Sequence, residues 1–113
     1  MLRSPLVDVL YYVAEAGQCP FEDWFSGLDP AAAAKVAAAL KRLGAGNDSS
    51  VKTVGGSVLE YRIDWGPGYR IYFGRDGATL VILLTGGTKK RQQRDIEAAK
   101  LLWTDYKQRR ALR

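Results

Sequence analysis

Arg62 and Arg70 lie in a stretch, Leu59-Glu60-Tyr61-Arg62-Ile63-Asp64-Trp65 followed by Tyr69-Arg70-Ile71-Tyr72-Phe73, that alternates with a period of two. Such alternation puts successive side chains on opposite faces of a sheet, so the arginines share one face while Leu59, Tyr61, Ile63, Tyr69, Ile71 and Phe73 share the other. A glycine pair, Gly86-Gly87, then leads to Lys89-Lys90-Arg91. One face is expected to be core and the other a water-facing cationic surface. Like charges in such a grid repel unless a polyanion neutralises them, which makes nucleic acid the leading partner.

The chemistry open to this set is metal-free cleavage of RNA, in which the 2′-hydroxyl attacks its own phosphodiester. That reaction needs positive charge on the phosphorane and groups that accept and donate a proton. The guanidinium forks of Arg62 and Arg70 suit the phosphate oxygens but titrate too high to move protons. Crowding by Arg62, Arg70, Arg91 and Arg94 favours the neutral amine of Lys89 or Lys90, which makes the lysines the proton-transfer candidates. Tyr72 and Glu60 are weaker candidates on the same face. Arg70, Arg62, Lys89 and Lys90 thus form the expected catalytic set, and Arg91, Arg94, Tyr72 and Lys52 the expected RNA-binding set.

Other chemistries find less support. The chain has no histidine, and Glu60, Asp64 and Asp76 are the only acids in the hairpin region, so neither a metal nor another cofactor is expected. Gly86-Gly87-Thr88-Lys89-Lys90 lacks the glycine spacing of a nucleotide-hydrolysing phosphate loop. Two readings of it stay open: a phosphate seat at a helix N-terminus, and a plain turn with surface lysines.

The elements that must position these residues follow from local pattern. Residues 6–13 are β-branched and aromatic and predict a first strand, buried on at least one face. Pro20 opens a short helix with an apolar stripe of Phe21, Trp24, Phe25 and Leu28. Asp29-Pro30 supplies an N-cap and a first-turn proline for a helix over 31–43, with Gly44 as its C-terminal cap and Val36, Leu40 and Leu43 on its buried edge. Residues 51–54 predict a short edge strand before Gly55-Gly56. Pairing Trp65 with Tyr69 around a three-residue loop, Gly66-Pro67-Gly68, keeps core facing core and sets Asp64 opposite Arg70 and Arg62 opposite Tyr72. Arg75-Asp76-Gly77-Ala78 marks a turn, and the apolar run 80–84 predicts the central strand, covered on both faces. Ile96, Ala99, Trp103 and Tyr106 mark a final amphipathic helix from Lys89 or Lys90 to about Tyr106.

Composition sets the bounds. With 113 residues and 47% hydrophobic content, one domain, 1–113, is expected. The single cysteine, Cys19, cannot form an internal disulfide and reads as a small buried hydrophobe. The apolar run 9–14 is bracketed by Asp8 and Glu15 and is too short for a membrane span or export signal, so a cytoplasmic protein is expected and the Asn47-Asp48-Ser49 sequon carries no weight. Net charge is +5, but residues 1–34 carry −4 and the remainder +9. Nine of the basic residues lie in 86–113. A solvated helix face and loose tail compete as the reading of Lys107, Arg109, Arg110 and Arg113.

The segments Glu60-Tyr61-Arg62-Ile63-Asp64-Trp65-Gly66-Pro67-Gly68-Tyr69-Arg70-Ile71-Tyr72-Phe73, Leu83-Leu84-Thr85-Gly86-Gly87-Thr88-Lys89-Lys90 and Gln93-Arg94-Asp95-Ile96 closely resemble addiction-module killer proteins of the HigB-like branch of the RelE/ParE toxin superfamily. The resemblance extends to Phe21-Glu22-Asp23-Trp24-Phe25 and to 98–106, and so covers nearly the whole chain. It implies an α+β, RelE-like fold: an N-terminal strand, two helices, an antiparallel three-stranded meander and a C-terminal helix packed on the sheet. It also implies the toxin of a type II toxin–antitoxin module, an endoribonuclease that cuts messenger RNA on the ribosome. Its partner would be a helix-turn-helix antitoxin, through which the complex binds operator DNA. Arg70 matches the family's arginine assigned to the transition-state phosphate, Arg62 a basic position on the preceding strand, and Lys89 or Lys90 a basic residue after the last strand. Asp64 stands where well-studied relatives have lysine, and the C-terminal tyrosine or histidine of some members has no clear counterpart near Asp95. A ParE-like, non-catalytic inhibitor of DNA gyrase and an inactive phage-derived remnant are the alternative readings.

Overall fold

A computed structural model describes residues 6–112; Arg113 of the basic tail lies outside them. The elements are β1 (Asp8–Tyr11), α1 (Pro20–Ser26), α2 (Pro30–Gly44), β2 (Val51–Gly55), β3 (Val58–Ile63), β4 (Tyr69–Arg75), β5 (Leu80–Thr88), a 3₁₀ turn (Lys89–Arg91) and α3 (Gln92–Ala111). They form one five-stranded sheet in the order β1-β5-β4-β3-β2, antiparallel from β2 to β5, with β1 parallel to β5. The fold is the expected α+β arrangement with α3 laid on the sheet, and β2 lengthens the meander to four strands.

The sheet has a helix layer on each side. Phe21, Val36 and Leu43 from α1 and α2 pack with Tyr61, Ile71 and Phe73 on one face. On the other, Ile96, Ala99 and Trp103 from α3 pack with Tyr72, Ile82 and Leu84. The second core corrects the expectation of an open cationic face, because α3 covers the side that carries the arginines. At the start of α2 the Asp29 side chain accepts from the backbone N–H of Ala32 at 2.8 Å, and Pro30 fills the first helical position, as the local pattern predicts. Gly44 is not the cap: it is the last helical residue, and the left-handed turn falls on Gly46 (φ 81°).

Two strands differ from expectation. β1 is short and lies at the edge, with Leu10 and Tyr11 exposed, because among the described residues only β5 pairs with it. β5 is buried on both faces, but the middle position of the sheet belongs to β4.

The hairpin register is also shifted. Ile63 pairs with Tyr69, so the β3–β4 loop is the five residues 64–68. Gly66 and Gly68 both take positive φ (58° and 78°), and Trp65 folds its ring onto Tyr69 at 6.1 Å instead of extending the strand. A slip of two residues keeps every side chain on its predicted face but changes its neighbour. Arg62 now faces Arg70, Glu60 faces Tyr72, and Asp64 is exposed in the loop.

Candidate functional site

Two adjacent rows cross the α3 side of the sheet. One runs Lys52–Glu60–Tyr72 over β2, β3 and β4; the other runs Arg62–Arg70–Gly87 over β3, β4 and β5. Partners across a ladder share a face, so the expected cations Lys52, Arg62 and Arg70 are brought together. All three approach a single oxygen, Glu60 Oε1: Arg62 Nε at 3.2 Å, Arg70 Nε at 3.9 Å and Lys52 Nζ at 4.0 Å. The second oxygen, Oε2, accepts from Gln92 Nε2 at 2.8 Å. Gln92 is the first residue of α3, so the helix is fastened to the sheet at this carboxylate.

Burial is graded across the cluster. Glu60 and Tyr72 are fully buried, and Arg70 is 4% exposed. The side chains of Lys52 and Arg62 remain 46% and 41% exposed. Two expectations change here. Arg70 does not stand in water, and Tyr72 is no surface contact for RNA, since it forms part of the core beneath α3. The cause is Gly87, beside Arg70 in the row. Asp95 of α3 rests directly on its Cα, where any β-carbon would collide with Asp95 Oδ2, so the first turn of the helix settles on the sheet. Gly86 does the same on the opposite face for the Trp24 ring. Both glycines lie within β5, which runs on to Thr88. The pair is therefore not a break or turn after the strand: both glycines are places of close approach within it.

Electrostatics follow from the burial. Burial pushes the Glu60 carboxyl up, but hydrogen bonds from Gln92 and Arg62, contact with the Tyr72 hydroxyl and the charge of Arg70 outweigh it, so its pKa lies below the ordinary value. Tyr72 is raised by burial and then by Glu60, so it stays protonated. Asp95 is raised by burial, against the pull of Arg91 and Arg94. The Oδ2 of Asp95, the Nε of Arg70 and the hydroxyl of Tyr72 are buried, and among the described residues none has a partner at hydrogen-bond geometry. Glu60 and Tyr72, the weaker proton-transfer candidates of the sequence, both lie in this buried centre.

Around this buried centre lies an exposed rim. Lys89, Lys90, Arg91 and Arg94 are all exposed, and among the described residues none enters an ion pair. The chain is held here by Lys89 N–H donating to the Gly68 carbonyl at 2.8 Å. A β-carbon on Gly68 would lie 3.3 Å from Lys89 Cβ and 3.5 Å from Arg70 Nη1, so the end of β5 and the Arg70 guanidinium flank the same point of the hairpin loop. The 3₁₀ turn carries three consecutive basic residues ahead of α3.

The far end of α3 does something different. Tyr12 donates to Asp105 at 2.5 Å, and Arg109 pairs with Asp105 at 2.9 Å while donating to the Val13 carbonyl. Arg110 pairs with Asp76 at 2.6 Å, and Tyr106 donates to the same carboxylate at 2.7 Å. Arg109 and Arg110 are thus structural clamps, not part of a loose tail. Among the described residues four cations outside any ion pair gather at the Lys89 end, whereas at the far end Lys107 alone lacks one and lies over the Trp103 ring.

Sequence reasoning missed the central place of Glu60, the fastening role of Gln92 and the seat of Asp95. One signal was available for Glu60, which precedes Arg62 by two residues and so must share its face. Gln92 and Asp95 gave none, because their contacts depend on how α3 lies across the sheet.

Comparison with known proteins supplies the remaining observation. A family model described as "Phage derived protein Gp49-like (DUF891)" matches residues 23–104. An uncharacterised protein of Haemophilus influenzae is 47% identical over 83 residues, which is 73% of this chain and 84% of that protein. The match to the family model spans both rows of the site and the whole rim.

Proposed function

The chain belongs to the phage-derived Gp49-like family, a toxin-like family of the RelE/HigB type, and from that premise we propose that it is the toxin of a type II toxin–antitoxin module that cuts messenger RNA. The reading is a metal-independent endoribonuclease acting on ribosome-bound message, held inactive by a helix-turn-helix antitoxin through which the pair binds operator DNA. The observation that carries it is the graded cation cluster: exposed Lys89, Lys90, Arg91 and Arg94 lie around a sheet end where Arg62 is half open and Arg70 is anchored just below the surface. An RNA backbone is drawn in by the rim, whose four cations face a single neighbouring carboxylate, Asp95, and make no ion pair with it.

In this reading the scissile phosphate rests on the guanidinium edges of Arg62 and Arg70, which stabilise the charge that develops as the 2′-hydroxyl attacks. Arg70 is pre-placed, so little reorganisation is needed when charge appears. Lys89 and Lys90 are the proton-transfer candidates at the rim. Among the described residues no group of three or more acidic or cysteine side chains is placed to hold a metal ion.

Brief induction of the chain followed by 5′-end mapping of cellular RNA tests this. New ends within coding regions during growth arrest are expected. Arrest with intact transcripts and a DNA-damage response would point instead to a gyrase inhibitor, and unchanged growth to an inactive remnant.

A further inference from the structure

Glu60 meets both site arginines from the same side. Its Oε1 accepts a hydrogen bond from Arg62 Nε at 3.2 Å and forms an ion pair with Arg70 Nε at 3.9 Å, while among the described residues the Arg70 guanidinium makes one hydrogen bond, a long one of 3.5 Å from Nη1 to the Tyr69 carbonyl. Both Nη groups of Arg62 and the Nη2 of Arg70 are left without a hydrogen bond among the described residues. We infer that Glu60 is the positioning residue of the site: it touches no substrate, but by bonding Arg62 at Nε and drawing Arg70 by charge from its Nε side it leaves the Nη groups of Arg62 and the Nη2 of Arg70 for one phosphate group. The inference rests on the nuclease reading given above.

Three features argue for positioning over mere neutralisation. A neutralising carboxylate needs only to be near its cations, whereas this one is fully buried, cannot swing into solvent and has its other oxygen tied by Gln92 at 2.8 Å. Its place in the row next to the directly paired Arg62 and Arg70 lets one oxygen face both side chains. Three cations converge on one negative charge, so the cluster keeps a surplus that a phosphate can take up. Arginine loses considerable rotamer freedom when fixed, and fixing it before substrate arrives removes that cost from the reaction.

A structural role and a positioning role separate in kinetics. Glu60→Gln keeps the shape and an oxygen at Oε1 but removes the charge. For ribosome-bound message, kcat is expected to fall about tenfold to a hundredfold as the arginines lose their alignment. Affinity for a 2′-O-methyl RNA oligonucleotide, which cannot be cut, stays the same or tightens, because a negative charge has left the site. Glu60→Asp restores part of kcat. A folded Glu60→Gln protein that cleaves at the parental rate overturns the inference, as does a parallel loss of kcat and affinity that tracks the loss of folded protein.

If Glu60→Gln does not fold, Gln92→Leu leaves the charge in place and frees only Oε2. It is expected to show the same split with a smaller drop, and an unchanged kcat counts against positioning. A second readout does not need activity. The Nε–H resonances of Arg62 and Arg70 in ¹⁵N spectra should shift between the parental protein and Glu60→Gln or Gln92→Leu. Should the parental chain cut no RNA at all, the nuclease reading fails, and these resonances alone decide Glu60: signals unmoved by both substitutions overturn it.

Discussion

Arg62 and Arg70 face each other directly across β3 and β4, two like charges in a single cross-strand pair. Such a pair is unfavourable by itself, and Glu60 in the neighbouring row offsets it by approaching both guanidinium groups. The stability of the hairpin and the shape of the candidate site therefore depend on the same carboxylate. A substitution at any of the three changes both, and the choice of variant decides which effect is read.

Arg70→Lys keeps the charge and loses the planar fork, so it is expected to abolish toxicity on induction while the protein still melts cooperatively near the parental temperature. Arg70→Ala should also abolish it, but at a cost of about 1–3 kcal/mol in stability, because the buried Glu60 carboxylate loses a partner. Growth on induction and thermal melting, measured together, separate the two. Full toxicity from either folded variant removes Arg70 from the mechanism.

The rim should bind phosphates without regard to sequence. Replacing Lys89, Lys90, Arg91 or Arg94 singly by alanine is expected to weaken RNA binding about equally for unrelated sequences and to lower the salt slope of log affinity by about one for each phosphate no longer neutralised. Stability should move by less than about 0.5 kcal/mol, since these side chains are exposed and among the described residues make no ion pair. Titrations over a range of salt concentrations check both. A rim substitution that leaves the salt slope untouched does not touch phosphate.

How much of this was legible beforehand depends on which physics decided each feature. The period of two in 58–63 and 69–75 assigned Arg62, Arg70 and Glu60 to one face correctly, and Asp29-Pro30 marked the start of α2, because both signals are local. Register was not legible, since pairing Trp65 or Ile63 with Tyr69 gives the same faces, and the choice fell to two glycines with positive φ and the Trp65–Tyr69 stack. Burial of Arg70 was hidden for a different reason. Alternation says which side a residue faces but not what lies over it, and that was settled by the fit of Asp95 against Gly87, residues far apart in pattern though near in the chain.

Among the shifted carboxyls, Glu60 and Asp95 should pull the acid stability in opposite directions. Glu60 is lowered in the folded protein, so the unfolded chain binds the proton more readily. Its contribution is complete above the ordinary carboxylate value of about 4.3 and is lost as pH falls through the lower folded value. Asp95 is raised, so the folded chain binds the proton more readily. Its penalty is absent below the ordinary value near 3.9 and grows as pH rises through the folded value. Denaturant midpoints against pH should therefore show a weaker acid loss for Glu60→Gln than for the parental chain. Relative to the parental chain, Asp95→Asn should gain as pH is raised from about 4 toward neutrality. Parallel curves for all three proteins would contradict both assignments.

Gly87 offers the sharpest test of why Arg70 is buried. Its backbone is not in the left-handed region, so alanine meets no backbone strain there and acts only through its β-carbon, which would collide with Asp95 Oδ2. Gly87→Ala is therefore expected to destabilise by about 1–3 kcal/mol as an overpacked site. The first turn of α3 must lift to make room, and that lengthens the Gln92–Glu60 bond and opens Arg70 to water. Adding Asp95→Ala removes the obstacle, so the double variant should recover part of the loss, with a coupling of about 1 kcal/mol or more between the two positions. Equilibrium unfolding of the four proteins in the cycle supplies the number. Additive effects would mean that Asp95 does not seat the helix on Gly87, and the burial of Arg70 would need another cause.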